Sequence, residues 1–204
     1  LARVLLLPFG KRSEFVLLGF LLVTGIFSMF ISNTATAAMM LTFMAPVLRQ
    51  LPEDDKGRIG LVMAIPIGAN IGGMATPVGT PPNAIALKYL NDPAGLGFNI
   101  GFGDWAMVMM PFTILLLILA WLLLIKLFPF KDKEIHLNIE GNTVKGPRLV
   151  IAYITLALTI ILWLLDKFTG INANTVAMIP IAIFCVTGLF GKDEIPAVLT
   201  HNDV

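Results

Sequence analysis

Three consecutive small polar residues, Ser32, Asn33 and Thr34, lie in the middle of an uncharged stretch that covers residues 15–48. Hydroxyl and amide side chains in succession favour helix caps, because their oxygens compete for backbone N–H groups. The stretch is therefore predicted to form two short helices that meet at a polar tip. Ser28 lies one helical turn before Ser32, so both hydroxyls are predicted to face one bound ion.

A second irregular place follows at Gly79, Thr80, Pro81 and Pro82. Proline costs about 3 kcal/mol in a helix interior and glycine about 1 kcal/mol, so a helix is predicted to break within residues 68–83. Irregular backbone is tolerated at membrane depth only where it is buried in protein or lines a wet cavity. Two such breaks are typical of a transporter site, where helix N-termini bind an anion and free carbonyl groups bind a cation.

Two further features of the sequence have structural interpretations. Gly68 and Gly72 form a small-xxx-small pair, which favours close packing against a neighbouring helix. Asn174 and Thr175 repeat the Asn-Thr pair of the polar tip, but no glycine-proline break follows them. We interpret Asn174 as the cap at the start of a helix.

The two irregular places offer neutral oxygen atoms from side chains and backbone carbonyl groups. Hard cations such as Na+ prefer these ligands, whereas softer metals prefer sulfur and imidazole. The apolar segments contain no Asp, Glu, Lys, Arg or His, which disfavours proton coupling through a buried carboxylate relay. They also lack a nucleophile paired with a base, so the sequence predicts a transporter and not an enzyme. A structural or channel-like membrane subunit is the alternative.

The composition is that of a membrane protein. The chain is 57% hydrophobic and 13% charged, and its mean hydropathy is +0.87. Uncharged segments, each about as long as the roughly 20 residues that cross a bilayer or longer, cover residues 15–48, 59–87, 105–125, 149–165 and 171–191. The sequence therefore predicts an all-α, polytopic integral membrane protein, in contact with lipid and without a nucleic-acid partner.

The predicted order of segments follows the apolar runs. It comprises the end of a preceding helix (1–12), a re-entrant hairpin with the polar tip (13–50), a broken transmembrane helix (57–91), further transmembrane helices (104–128, 148–166 and 171–191), and the start of a connection to a second half (192–204).

The placement of Lys and Arg predicts the orientation in the membrane. If each segment after the hairpin crosses once, one side carries Lys11, Arg12, Arg49, Lys56, Arg58, Lys126, Lys131, Lys133, Lys145, Arg148 and Lys192. The other side carries Lys88 and Lys167. Because cytoplasmic loops are enriched in these residues, the hairpin is predicted to open to the cytoplasm of an inner (plasma) membrane.

These motifs resemble the first repeat of the divalent anion/sodium symporter family. The resemblance rests on Ser28, the run from Ser32 to Met40, Ile71-Gly72-Gly73, Thr76 and the run from Gly79 to Ala84. It implies a fold of two inverted repeats, each with a re-entrant hairpin and a broken helix. It also implies sodium-coupled uptake of di- or tricarboxylates by alternating access, or of sulfate in some members, and a homodimer of the full-length protein.

The resemblance also assigns roles to residues of this chain. Na+ would be held by Ser28, Ser32, Asn33 and the backbone carbonyl of Gly79. A substrate carboxylate would contact Asn33, Thr34 and Thr80. Asn33 would therefore belong to both sites.

Overall fold

The computed structural model describes residues 5–9, 12–135, 146–171 and 173–188. Secondary structure in these residues is helical, apart from an isolated bridge between Arg12 and Glu134, which confirms the predicted all-α class. The predicted connection over residues 192–204 lies outside the described residues. The segment boundaries and the membrane orientation stay predictions.

After a short 3-10 helix, Leu7–Phe9, the helices follow in the order α1 (Ser13–Ser28), α2 (Asn33–Leu48), α3 (Gly57–Gly73), α4 (Pro81–Asn91), α5 (Phe102–Leu127), α6 (Pro147–Leu164), α7 (Asp166–Thr169) and α8 (Ala173–Val186). Helix α8 begins at Ala173, one residue before Asn174, and the capping role of Asn174 stays a prediction. The chain forms two compact units, one of Leu1–Ile100 with Asp104–Gly141, the other of Gly101–Gly103 with Asn142–Val204.

In the first unit, α3 packs against both α1 and α2, and most extensively against α1. Glycines allow this close approach: a Cβ atom on Gly68 would lie 2.6 Å from the Leu21 carbonyl oxygen, and one on Gly72 would overlap the Gly25 backbone. The packing interpretation of the small-xxx-small pair is therefore confirmed. The buried core around this contact includes Val16, Leu17, Phe20, Leu21, Met40, Met44, Leu61 and Ile65.

Helix α5 is the only helix in the described residues that is both long and apolar enough to cross a membrane. Only 17% of its 18-residue apolar window is buried inside the chain, so most of its surface faces outward. Shorter apolar helices cover Ser13–Ser28, Asn33–Leu48, Leu149–Leu164 and Thr175–Val186.

The segment that follows α5, residues 128–135, lies across the starts of α1 and α3. The backbone N–H of Ser13 donates to the Lys133 carbonyl at 3.0 Å. Buried Asp55 accepts from the backbone N–H groups of Gly57 at 2.7 Å and Lys131 at 3.1 Å. Lys131 also forms an exposed ion pair with Asp54, and this hydrogen bond lowers the pKa of the Asp54 carboxyl.

In the second unit, α6 packs against α8. The rings of Phe102 and Trp163 stack at 5.2 Å between centroids. The Asp166 carboxylate accepts from the Phe102 N–H at 2.6 Å, so it satisfies a backbone donor at the start of α5 that has no acceptor within the helix.

Candidate functional site

The polar tip, Ser32 to Thr34, covers the end of the four-residue connection between α1 and α2 and the start of α2. Helix α1 ends at Ser28, which is buried, whereas Ser32 is exposed and caps α2 by accepting from the Ala35 N–H at 3.3 Å. The two serines therefore do not share a helical turn, because the helix stops between them. The helical spacing on which the expected shared face rested is therefore absent, and the contact of both hydroxyls with one ion stays a prediction.

Asn33 is the first residue of α2 and the centre of a line of polar side chains. The Ser28 hydroxyl donates to its Oδ1 atom at 2.7 Å. Its Nδ2 atom donates to the Oδ1 atom of Asn70 on α3 at 2.9 Å. The tip is thus bonded both to the end of α1 and to the last turn of α3.

The loop of residues 74–80 separates α3 from α4. Thr80 precedes the helix in an extended conformation, and Pro81 occupies its first turn, where the missing N–H costs nothing. The buried Asn83 side chain holds the loop, since its Nδ2 atom donates to the Gly73 and Thr76 carbonyls, each at 2.8 Å.

Gly73 brings the tip and the loop together. A Cβ atom on this residue would lie 2.6 Å from Asn33 Oδ1 and 2.6 Å from Thr80 Cγ2. A second contact joins the two elements, because the Thr76 hydroxyl donates to the Met29 carbonyl that follows α1. The structure therefore brings Thr80 close to Asn33 and Ser28, although it lies far from both along the chain.

The Gly79 carbonyl is one of several in the loop that accept no hydrogen bond from the described residues. Gly79 is buried, and its carbonyl oxygen shares this property with those of Ala75, Pro77 and Val78, whereas the carbonyls of Gly73, Met74 and Thr76 each accept one. A buried carbonyl without a donor is unfavourable unless another group satisfies it. Coordination of a cation would do so.

Thr34 is exposed in the first turn of α2. The N–H groups of Ala35 and Thr36 bond to Ser32, whereas those of Asn33 and Thr34 have no acceptor among the described residues. Free N–H groups and the positive end of the helix dipole favour a bound anion at this place.

Sequence reasoning missed Asn70 and assigned no role to Asn83. A signal for Asn70 was present, because it is the only polar side chain in residues 59–73. A lone polar residue in an apolar helix needs a hydrogen-bond partner. The identity of that partner, Asn33, depends on how α3 packs against the tip.

A family model described as a citrate transporter matches residues 1–199 of this sequence. The chain belongs to the citrate transporter family. The family and the relatives described below are transporters and not enzymes.

The chain is 33% identical over 164 residues to the sodium-dependent high-affinity dicarboxylate transporter 3 of Caenorhabditis elegans, covering 70% of this chain and 29% of that protein. It is 36% identical over 123 residues to the sodium-dependent dicarboxylate transporter of Staphylococcus saprophyticus, and this match covers 55% of this chain and 23% of that protein. These relatives confirm the resemblance to the divalent anion/sodium symporters.

A low-affinity phosphate transporter of Saccharomyces cerevisiae is 30% identical over 194 residues, covering 92% of this chain and 21% of that protein. The chain spans less than a third of the length of each of these three relatives.

Proposed function

We propose that this chain is one half of a secondary active transporter that couples the uptake of a di- or tricarboxylate to Na+ by alternating access. The observation that carries the proposal is the position of Asn33. Its amide bonds to the Ser28 hydroxyl and to Asn70, and its oxygen lies against Gly73 beside Thr80. One side chain thereby links the polar tip to the helix break.

The ion would be held by neutral oxygens. Ser28 Oγ and Asn33 Oδ1 are 2.7 Å apart, and the buried Gly79 carbonyl belongs to the loop that packs on Gly73. Ser32, whose hydroxyl caps α2, would complete the set. These are ligand types that suit Na+, because oxygen atoms without formal charge are hard donors.

The anion would bind beside the ion, at the start of α2. Its carboxylate would accept from Thr34, Thr80 and the Asn33 amide, and from the free N–H groups of the first turn of α2. A Na+ ion next to the anion offsets part of its charge, so the binding of each ligand favours the binding of the other.

The lengths of α1 and α2 support a re-entrant hairpin. Each helix has 16 residues, which corresponds to a length of about 24 Å at 1.5 Å per residue. The hydrocarbon core of a bilayer is about 30 Å thick. A hairpin of these helices that enters from one side would therefore end inside the bilayer. Helices α3 and α4 would be the two parts of a broken transmembrane helix.

We further propose that a second, inverted half completes the site in the full-length protein, which forms a homodimer in the inner (plasma) membrane. Ser32, Thr34 and Asn70 are exposed on this chain, so they are accessible to such a partner.

Phosphate or sulfate is a second candidate substrate. The reason is the similarity to a yeast phosphate transporter over most of this chain. Phosphate, sulfate and carboxylate groups are all oxyanions. Each can therefore accept hydrogen bonds from the backbone N–H groups at a helix N-terminus.

The test is uptake by the full-length protein in proteoliposomes. Radiolabelled succinate, citrate, phosphate and sulfate are compared under an inward Na+ gradient and an equal K+ gradient. We expect Na+-dependent accumulation of a carboxylate. The degree to which each unlabelled anion inhibits this uptake then ranks the anions by their apparent affinity. Accumulation of phosphate alone would select the second candidate. Equal uptake under both gradients would refute sodium coupling.

A further inference from the structure

Helix α5 is bonded to the rest of the first unit through two tryptophan side chains. The Trp105 indole N–H donates to the Met74 carbonyl at 3.1 Å, and the Trp121 indole N–H donates to the Glu14 carbonyl at 2.9 Å. Between them, Leu117 reaches the surface of α1 beside Gly25. The two bonds are of the same chemical type, but their acceptors lie in different places.

The acceptor of Trp121 belongs to the first turn of α1, far along the helix from the polar tip. The acceptor of Trp105 is the residue directly after α3 and the first residue of the 74–80 loop. An indole N–H is only a donor and is usually satisfied when buried. Here it satisfies a carbonyl at the end of a helix, where no partner exists within the helix.

Met74 is linked directly to the site through Gly73. The Met74 carbonyl belongs to the peptide group with Ala75, and only the φ and ψ torsions of Met74 separate that group from the Gly73–Met74 peptide group, so a displacement of the Met74 carbonyl is passed on to Gly73. Gly73 has little freedom, because Asn33 Oδ1 and Thr80 Cγ2 would each lie 2.6 Å from a Cβ atom on it. A movement of Gly73 is therefore transmitted to Asn33 and Thr80.

Trp105 is half-buried, and a role as a simple membrane-interface anchor predicts that its N–H faces headgroups or water. The bond to a backbone carbonyl of the loop does not fit that role. We propose that Trp105 is a positioning residue, whose indole N–H holds the Met74 carbonyl and thereby keeps Gly73 against Asn33. The position of α5 then sets the affinity of the ion site. The inference rests on the proposed function for the identity of the ion.

The test replaces Trp105 in the full-length protein by β-(3-benzothienyl)alanine, which keeps the shape of indole and lacks the N–H group. Trp105→Phe is the simpler second variant. The same two replacements at Trp121 are the matched control, because they remove an equivalent bond from the same helix. Each variant is examined by hydrogen exchange of residues 74–83 and by the Na+ dependence of uptake.

We expect faster exchange of this peptide in the Trp105 variants and a rise of about two- to tenfold in the half-saturating Na+ concentration, with the maximal rate kept. The Trp121 variants should change neither. Unchanged exchange in the benzothienyl variant of Trp105, or the same change in both positions, would overturn the inference.

The outcomes separate this inference from the proposed function. If uptake by the unmodified protein does not depend on Na+, sodium coupling is refuted. Hydrogen exchange of residues 74–83 then still decides whether Trp105 positions the loop. If uptake depends on Na+ but the Trp105 variants keep the normal half-saturating concentration, the function stands and the positioning role is wrong.

Discussion

The substitution Gly73→Ala adds one methyl group between the polar tip and the 74–80 loop. The new Cβ atom would lie 2.6 Å from Asn33 Oδ1 and from Thr80 Cγ2, whereas ordinary contact begins at 3.4 Å. The backbone of α3 cannot move away freely, because Gly72 is already in contact with the Gly25 backbone. The Asn33 side chain must therefore move by about 0.8 Å, the difference between these two distances.

The size of the effect follows from the hydrogen bonds of Asn33. Its amide bonds to Ser28 at 2.7 Å and to Asn70 at 2.9 Å. A lengthening of either bond by about 0.8 Å takes it beyond the roughly 3.2 Å limit of a good hydrogen bond. Each bond contributes about 1 kcal/mol, so losing one or both weakens ion binding by about 5- to 30-fold.

The assay is a Na+ titration of labelled carboxylate uptake by the full-length protein in proteoliposomes. Gly25→Ala is the control, since its new Cβ atom would meet Leu117 at 3.4 Å and Gly68 at 3.5 Å, which is ordinary contact. The melting temperature of each purified variant is measured in detergent. Alanine favours a helix by up to about 1 kcal/mol over glycine, so Gly73→Ala should stay folded.

A folded Gly73→Ala variant with an unchanged half-saturating Na+ concentration would refute this reasoning. So would an equal increase in Gly25→Ala, because that result would trace the effect to helix packing. A rise in Gly73→Ala alone, with a normal melting temperature, supports an ion site that includes Asn33.

Three further predictions concern other parts of the molecule. Asn33→Ala should weaken Na+ dependence and carboxylate uptake together, whereas Asn174→Ala in uptake assays should change neither; identical behaviour would mean that Asn33 is not the shared ligand. A cysteine at Lys88 should react with an impermeant thiol reagent on intact cells, and one at Lys133 only after permeabilisation; equal labelling from outside contradicts the topology. Asp55→Asn should lower the free energy of unfolding by about 1–3 kcal/mol, because an NH2 group replaces one of the two accepting oxygens and one of the two backbone N–H groups at this buried site loses its acceptor. Asp54→Asn is the control, because Asp54 is exposed and its ion pair with Lys131 contributes little; the melting temperature should hardly change.

The sequence by itself determined where helices stop and which atoms are offered there. Prolines and glycines after Gly73 and the polar residues around Ser32 act on the backbone within about one turn, so their effect is readable locally. In the structure, α1 ends at Ser28, a few residues before the polar run, and α3 ends at Gly73, within the stretch of residues 68–83 where a break was predicted. The helical spacing assumed between Ser28 and Ser32 is absent for the same local reason, because α1 ends between them.

Tertiary structure alone decided which side chains meet. Asn33 bonds to Asn70, which lies 37 residues away, and Trp105 bonds to Met74, which lies 31 residues away. These pairings depend on the rotation and depth of α3 against α1, which the close contact of Gly72 with Gly25 sets. A sequence pattern specifies the apolar and small faces of a helix, but a rotation of one residue changes the partner of every polar side chain on it. For that reason the hydrogen-bond partners of Asn70 and Trp105 could be identified only in the folded chain.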